Sequence, residues 1–171
     1  MGTKKFTLIM LVENKHGVLN RISGLFAKRA YNIDNLSVGA THNPKVSRMT
    51  IVVECEEPLL EQIIEQLKKL VDVIAVEVTT SALAVMRELM LIKISHNDGN
   101  FTKLTGVIND IFRGRVVDIT QDSVIAEITG PEDKLNAFIK FAEPMGIIEL
   151  ARTGVTALNR GSRALVDAGK D

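Results

Sequence analysis

The sequence predicts an α+β fold made of two tandem domains, each with the order strand, helix, strand, strand, helix, strand. Apolar residues alternate where strands are expected and recur at three- and four-residue spacing where helices are expected. The same series of patterns runs through the first half of the chain and again through the second. This order is typical of the ferredoxin-like fold, a four-stranded antiparallel sheet with two helices on one face. We predict domains at residues 1–80 and 81–171, joined near residues 80–87.

In the first domain, the strand at residues 6–12 alternates Leu8 and Met10 with Ile9 and Leu11, so both faces are expected to be covered. An apolar stripe that includes Ile22 then predicts an amphipathic helix. The elements predicted after the first strand are helix 18–29, strands 32–38 and 47–55 with a turn at residues 42–44, helix 58–70 and strand 73–78.

The second domain repeats this order with different residues. Its predicted elements are strand 89–94, helix 104–111, strands 115–120 and 124–129, a helix from residue 131, and strand 146–152. Residues 153–171 are rich in Gly, Arg, Lys and Asp, and are expected to form a tail that is weakly ordered on its own.

One face of the first sheet is expected to lack a cover, because both helices of a ferredoxin-like domain pack on the other face. This face is largely apolar and is predicted to be exposed in a lone chain; it carries Thr7, Ile9, Leu11, Thr50 and Val52. The edge at residues 33–38 has neither Pro nor Lys to block pairing. We therefore expect a homodimer or a higher homo-oligomer.

Composition excludes several classes of protein. The 171 residues are 46% hydrophobic, and Lys plus Arg (21) balance Asp plus Glu (21), so no overall charge favours nucleic acid or an anionic membrane. No apolar stretch is long enough to cross a bilayer. The single Cys55 and the lack of a leader pattern make the cytoplasm the expected location.

The candidate chemical groups do not form a catalytic or metal-binding pattern. His16, His42 and His96 are far apart and lack the spacing of metal ligands, so no metal site is expected. Cys55 falls on the buried side of its strand, where it is expected to pack rather than react. The turn at residues 96–100 and the basic run 112–115 are interpreted as a loop and a solvated helix end. The chain alone is not expected to be an enzyme.

The loop between the first strand and the first helix has the chemistry of an amino-acid site. Gly17 permits a tight turn and close approach to the main chain, and the helix that begins near Val18 presents free N–H groups to a carboxylate. Asn14 and Asn32 offer amide groups to an ammonium or a carboxylate. Asn and Gly are also ordinary turn residues, so the motif alone also agrees with a purely structural turn.

The chain closely resembles the regulatory (small) subunit of acetohydroxyacid synthase, also called acetolactate synthase. The resemblance covers nearly the whole chain and is carried by LVENKHGVLNRISGLFAKRAYNIDNLSV, SRMTIVVE, LVDV, RELMLIKI, IFRGRVVDIT and ARTGVTALNRG. It implies that the first domain is an ACT domain, a ferredoxin-like module that binds an amino acid between paired copies. The effector-binding residues carried over by this resemblance are Asn14, Gly17, Val18, Leu19, Asn32 and Ile33. Ala30 departs from the glycine that many members have.

The resemblance also implies the partners. The chain would activate a catalytic (large) subunit and make it sensitive to feedback by L-valine, or by leucine or isoleucine. Thiamine diphosphate, magnesium and FAD are implied for that catalytic subunit, and no cofactor is implied for this chain. The alternatives are a free-standing ACT-type amino-acid sensor for another partner, and an RNA-binding sheet, which the 4% aromatic content disfavours.

Overall fold

The computed structural model describes residues 2–96 and 99–165. The chain folds into two compact units, which we call the first unit (residues up to Met86, with the segment from Val155) and the second unit (Arg87–Gly154). The predicted α+β fold class is confirmed, because the chain forms two antiparallel sheets accompanied by helices. Part of the turn predicted at residues 96–100 and the last six residues of the predicted tail lie outside the described residues.

The first unit has the sheet order β2-β3-β1-β4. Its elements are β1 (Lys4–Glu13), α1 (Val18–Lys28), β2 (Asn35–Ala40), β3 (Val46–Cys55), α2 (Glu57–Lys68) and β4 (Val73–Thr79). The strand predicted to start at residue 32 begins only at Asn35. A local bond precedes it, in which Asn32 Nδ2 donates to Asp34 Oδ1 at 2.6 Å.

The core of the first unit lies between one sheet face and the helices α1 and α2. It contains the alternate residues of the strands and the apolar stripes of the helices, among them Leu8, Met10, Ile22, Phe26, Met49, Ile51, Ile63 and Leu67. Cys55 packs in the same cluster, and burial raises the pKa of its thiol. The cysteine is therefore a packing residue, as expected.

The turn that follows helix α1 contains a residue with a left-handed backbone. Ala30 has φ 55° and is exposed, and Tyr31 N–H donates to Phe26 O at 3.0 Å in the closing turn. Glycine is preferred in this conformation because it lacks the Cβ that collides with the backbone.

Replacing Ala30 by glycine is expected to stabilise the protein by about 0.5–1 kcal/mol, since left-handed strain of about 1–2 kcal/mol is relieved and partly offset by unfolded-state entropy. Urea unfolding followed by circular dichroism measures this change. Exposed Ala27 lies inside α1, and Ala27→Gly should destabilise by about 1 kcal/mol, which makes it the matched control. Equal destabilisation by both changes would contradict the prediction.

The second unit has the sheet order β6-β7-β5-β8. Its elements are β5 (Ala84–Ser95, which begins in the first unit), α3 (Phe101–Gly106), β6 (Arg115–Ile119), β7 (Ser123–Gly130), α4 (Glu132–Ala142) and β8 (Ile147–Arg152). The helix predicted at residues 104–111 is α3 followed by a π-helical turn, Val107–Ile111. The sequence periodicity did not show this change of pitch, because Leu104 and Ile108 are both fully buried as in a continuous helix.

The basic run at residues 112–115 closes this turn and is mainly structural. Phe112 packs edge-on against Phe138, with ring centroids 4.9 Å apart, and Arg115 pairs with Glu127 at 2.6 Å. A Cβ on Gly114 would lie 2.8 Å from the carbonyl oxygen of Glu127. Glycine at this position, directly before β6, therefore lets the chain approach β7 closely.

The segment Val155–Leu165, which we call the C-terminal strap, packs on the sheet of the first unit. It contains β9 (Thr156–Asn159), which pairs with β5, and Arg160 N–H donates to Leu83 O at 2.9 Å. Ala157 is fully buried in a cluster with Ile9, Ala75, Ala84 and Leu165. The strap therefore groups with the first unit, whereas the predicted boundaries placed it in the second domain as a weakly ordered tail.

The strap covers the sheet face that was expected to be exposed. Ile9, Thr50 and Val52 are 0%, 1% and 9% exposed, so the expectation of an open apolar face was wrong. The cover is the chain itself, and this face therefore gives no reason to expect self-association.

Side chains of the sheet form hydrogen bonds with the backbone and the side chains of the strap. Thr50 Oγ1 accepts from Ala157 N–H at 3.3 Å, and Arg48 Nε donates to Ala157 O at 3.0 Å. Glu77 accepts from Asn159 at 2.6 Å and from Arg163 at 2.9 Å. The two bonds at Ala157 satisfy its backbone N–H and C=O, and the two bonds at Glu77 hold side chains of the strap.

Candidate functional site

The loop that joins β1 to α1 turns at Gly17, which has φ 82° and ψ −6°. Gly17 occupies the N-cap position of α1 and supplies no side-chain cap. Val18 N–H reaches Lys15 O only at 3.4 Å, a long hydrogen bond. The first turn of α1 therefore presents N–H groups with capacity for an anionic ligand.

Asn14 ties this loop to the turn between β2 and β3. Its backbone N–H donates to Lys45 O at 2.7 Å, and its Nδ2 donates to Pro44 O at 2.9 Å. These two bonds fix the amide and leave Oδ1 as the acceptor on an exposed side chain. An amide held in this way can accept from an ammonium group beside the loop.

The charges around the loop are paired with each other. Lys15 pairs with Glu13 at 2.6 Å, and the hydrogen bond to that carboxylate raises the pKa of Lys15. Arg21 lies beside Gly17 and pairs with Asp72 at 2.6 Å. Because both of these cations already have an anion, this part of the loop suits a zwitterion better than a ligand with net charge.

The predicted apolar contacts have different environments. Val18 is 4% exposed and packs in the core, so only its backbone can meet a ligand. Leu19 is 47% exposed beside the loop, and Ile33 is half-buried at the end of the α1–β2 connection. Leu19 is thus the apolar side chain that the loop itself offers.

Asn32 and Ile33 lie at the opposite end of the sheet from Asn14 and Gly17. Asn14 N–H donates to Lys45 O, just before β3 begins at Val46. Asp34 N–H, by contrast, donates to Val52 O near the other end of β3. The six-residue interval along β3 corresponds to about 20 Å. One copy of the chain therefore does not bring the predicted residues together.

Two supporting residues were missed in the sequence. Asp72 accepts from Glu13 N–H through its backbone at 2.8 Å and pairs with Arg21 through its carboxylate, so it fixes both sides of the loop. Pro44 supplies the carbonyl that holds Asn14. Only the tertiary fold places these residues near the loop, and no local pattern indicates it.

The described residues contain no group of three or more His, Cys, Asp or Glu side chains arranged to hold a metal. Within residues 2–96 and 99–165, no helix has the length and apolar character to span a membrane. The aromatic side chains all pack in or against the two main cores, which leaves the opposite sheet faces without stacking platforms for RNA bases. The aromatic residues are Phe6, Phe26, Tyr31, Phe101, Phe112, Phe138 and Phe141.

The first unit, a four-stranded antiparallel sheet with two helices and a loop between β1 and α1, has the architecture of an ACT domain. Residues 8–75 match the family model described as AHAS small subunit-like ACT domain, and residues 87–161 match the model described as small subunit of acetolactate synthase. The chain belongs to the acetolactate synthase small-subunit family, whose members are regulatory and not catalytic alone.

Full-length relatives support this assignment. The chain is 48% identical over 163 residues to a probable acetolactate synthase small subunit of Archaeoglobus fulgidus, covering 93% of this chain and 99% of the relative. It is 43% identical over 167 residues to the acetolactate synthase small subunit of Bacillus subtilis, covering 97% and 96%. The crystal structure of the small subunit from Thermotoga maritima superposes with TM-score 0.84 at 35% identity, covering 94% and 99%.

Proposed function

We propose that this regulatory subunit binds a branched-chain amino acid, most favourably L-valine, at the β1–α1 loop and imposes feedback inhibition on the catalytic subunit that it activates. The pathway would be branched-chain amino acid biosynthesis. Thiamine diphosphate, magnesium and FAD would belong to the catalytic partner. The paired charges and exposed main-chain donors around Gly17 support a zwitterionic ligand.

The effector site is proposed to form between two copies of the chain. The observation that carries this proposal is the separation of Asn14 and Gly17 from Asn32 and Ile33 at opposite ends of one sheet. β2 is an edge strand, and antiparallel pairing of two β2 edges would reverse one sheet relative to the other. The loop of one copy would then lie beside Asn32 and Ile33 of the second copy.

In this arrangement each part of the effector has a named partner. The carboxylate accepts from the main-chain N–H groups of Gly17 and Val18, and the ammonium donates to Asn14 Oδ1. The aliphatic side chain packs on Leu19 and on Ile33 of the second copy, and Asn32 of that copy offers its amide to the charged groups of the effector. Such a pocket recognises aliphatic shape, and one methylene is worth roughly 1–3 kcal/mol, so leucine and isoleucine are expected to compete with valine.

Binding across two copies also explains how a signal can leave the site. An effector that prefers one packing of the paired units shifts the population toward it, and allosteric couplings are typically about 1–3 kcal/mol. Inhibition of the catalytic partner is therefore expected to be partial at saturating effector.

Calorimetric titration of the full chain with L-valine, with D-valine as stereochemical control, tests the ligand. Saturable binding of the L form alone supports the proposal. If L-valine, leucine and isoleucine all fail to bind both the free chain and its complex with the catalytic subunit, the proposed effector class is wrong.

Mixed dimers test the composite site. Gly17→Asp and Asn32→Ala homodimers should each fail to bind, whereas a mixed dimer carries one intact site and should bind about half an equivalent per chain. Binding by neither homodimer nor by the mixed dimer would indicate that each site lies within one copy.

A further inference from the structure

A cavity of about 280 Å³ opens on the first unit between the β2–β3 hairpin and the C-terminal strap. Small and hydroxyl-bearing residues line most of it, together with one arginine: Ser37, Gly39, Thr41, Arg48, Thr50 and Thr156. None of the described residues that line it is a carboxylate. The volume is several times what one water molecule needs, which is enough for a small organic acid.

The guanidinium of Arg48 has few hydrogen-bond partners for a cation that is partly shielded from water. Its Nε donates to Ala157 O at 3.0 Å, which is its one hydrogen bond in the part of the chain that the structure describes. Its Nη2 is closed to solvent and has no hydrogen-bond partner among the described residues. Glu77, the carboxylate whose charge reaches Arg48, is already bonded to Asn159 and Arg163.

A cation in this state is costly, because a shielded guanidinium loses water without gaining an anion. The same burial lowers the pKa of Arg48, and the charge of Glu77 offsets this only in part. Buried polar groups without partners are rare enough in proteins to need a specific explanation. An anion in the adjoining cavity would supply one.

We propose that this cavity binds a small monocarboxylate, which pairs with the terminal nitrogens of Arg48. Because Nε is occupied by Ala157 O, the remaining edge of the guanidinium is its two terminal nitrogens, which match the two oxygens of a carboxylate. Nη2 has to turn toward the cavity for this pairing. One cation among hydroxyl groups balances a single negative charge, whereas a phosphate would leave charge uncompensated.

This site differs from the effector site proposed above, since the two share no residue. Gly39 lies opposite Arg48 in the β2–β3 register, so its missing side chain would point to the same face as Arg48. A Cβ built on Gly39 meets nothing within 4 Å. A larger residue at this position would therefore have room for its Cβ and would enter the cavity beside Arg48.

The test uses the full chain and sodium isobutyrate, with isobutyramide as a neutral isostere and sodium chloride at equal ionic strength. Calorimetry should show saturable binding of isobutyrate alone, and the Nε–H resonance of Arg48 should shift with the same saturation. Arg48→Gln and Gly39→Val should each weaken binding at least about tenfold. Gly17→Asp, which blocks the carboxylate donors of the β1–α1 loop, should bind isobutyrate as the unaltered chain does.

Three results would overturn the proposal: no saturable binding by the unaltered chain, unchanged binding by both cavity variants, or loss of binding in Gly17→Asp with retention in Arg48→Gln. The last result would assign the carboxylate to the β1–α1 loop. Gly39→Val keeps the test decisive if Arg48→Gln loosens the strap, because this variant leaves the bond between Arg48 and Ala157 in place.

Discussion

Asn14→Ala is expected to remove most of the effector sensitivity of the reconstituted enzyme while leaving activation of the catalytic subunit unchanged. The variant loses Oδ1, the proposed acceptor of the effector ammonium, and a hydrogen bond to a charged group is worth about 1.5–3 kcal/mol. Effector affinity should therefore fall roughly 10- to 150-fold. Inhibition curves for L-valine, measured on the complex at saturating subunit ratio, give both quantities.

A second variant separates ligand contact from loop support. Asn14 also donates from Nδ2 to Pro44 O at 2.9 Å, so alanine removes a bond within the protein as well. Asn14→Asp keeps an acceptor oxygen for the ammonium, loses the donor to Pro44 O and adds a negative charge that favours the ammonium. If Asn14→Asp is as insensitive as Asn14→Ala, the Pro44 bond and not the ammonium contact carries the effect.

The matched control is Asn109→Ala, the same change at an exposed amide in the second unit. It should alter neither inhibition nor activation. Loss of activation in Asn14→Ala would show that the loop also serves the catalytic subunit, and the separation of the two roles would then fail.

Gly17→Asp should abolish effector binding by two separate causes. A non-glycine residue is strained at φ 82°, and a carboxylate there repels the carboxylate of the effector. Gly17→Asn has a side chain of the same size without charge and tolerates a left-handed backbone better, so it should retain more affinity. Equal loss in both variants would indicate that backbone geometry alone decides binding.

The elements of the fold could be predicted because their signals are local. Leu8 and Met10 alternate with their neighbours, and Ile22 and Phe26 recur with the period of a helix, so each core-facing side was visible in the sequence. β9 gave no such signal. Ala157 is small, and its partners Thr50 and Arg48 lie more than a hundred residues away in sequence.

The candidate site, too, was predictable only where its signals are local in the sequence. Gly17 and Asn14 stand in a strand-turn-helix pattern, so their place at the end of β1 follows from local order. Asp72 and Pro44 support the loop through contacts that only the fold creates. The late start of β2 at Asn35 places Asn32 in a connection, which sequence alternation did not distinguish from a strand.

Ala157→Asp is expected to release the C-terminal strap from the sheet of the first unit. Ala157 is fully buried beside Ile9, Ala75, Ala84 and Leu165, none of which can accept or donate through its side chain. A charge in such apolar surroundings costs about 3 kcal/mol or more when no cation pairs with it, and Arg48, the neighbouring cation, is engaged with Ala157 O through its Nε. The adjacent Leu158 is 62% exposed, so Leu158→Asp places the same charge in water and should change stability by less than about 0.5 kcal/mol.

Limited trypsin digestion distinguishes release of the strap from unfolding of the whole unit, because Arg160 and Arg163 lie within the strap. In the unaltered chain, Arg160 N–H is bonded to Leu83 and Arg163 is paired with Glu77, which should protect both cleavage sites. Ala157→Asp should be cut rapidly at these two arginines while circular dichroism keeps its helical signal. If Leu158→Asp is cut equally fast, burial of Ala157 does not hold the strap. If neither variant is cut faster than the unaltered chain, the buried cluster tolerates the charge and the side-chain bonds of Arg48, Thr50 and Glu77 suffice to hold the strap against the sheet.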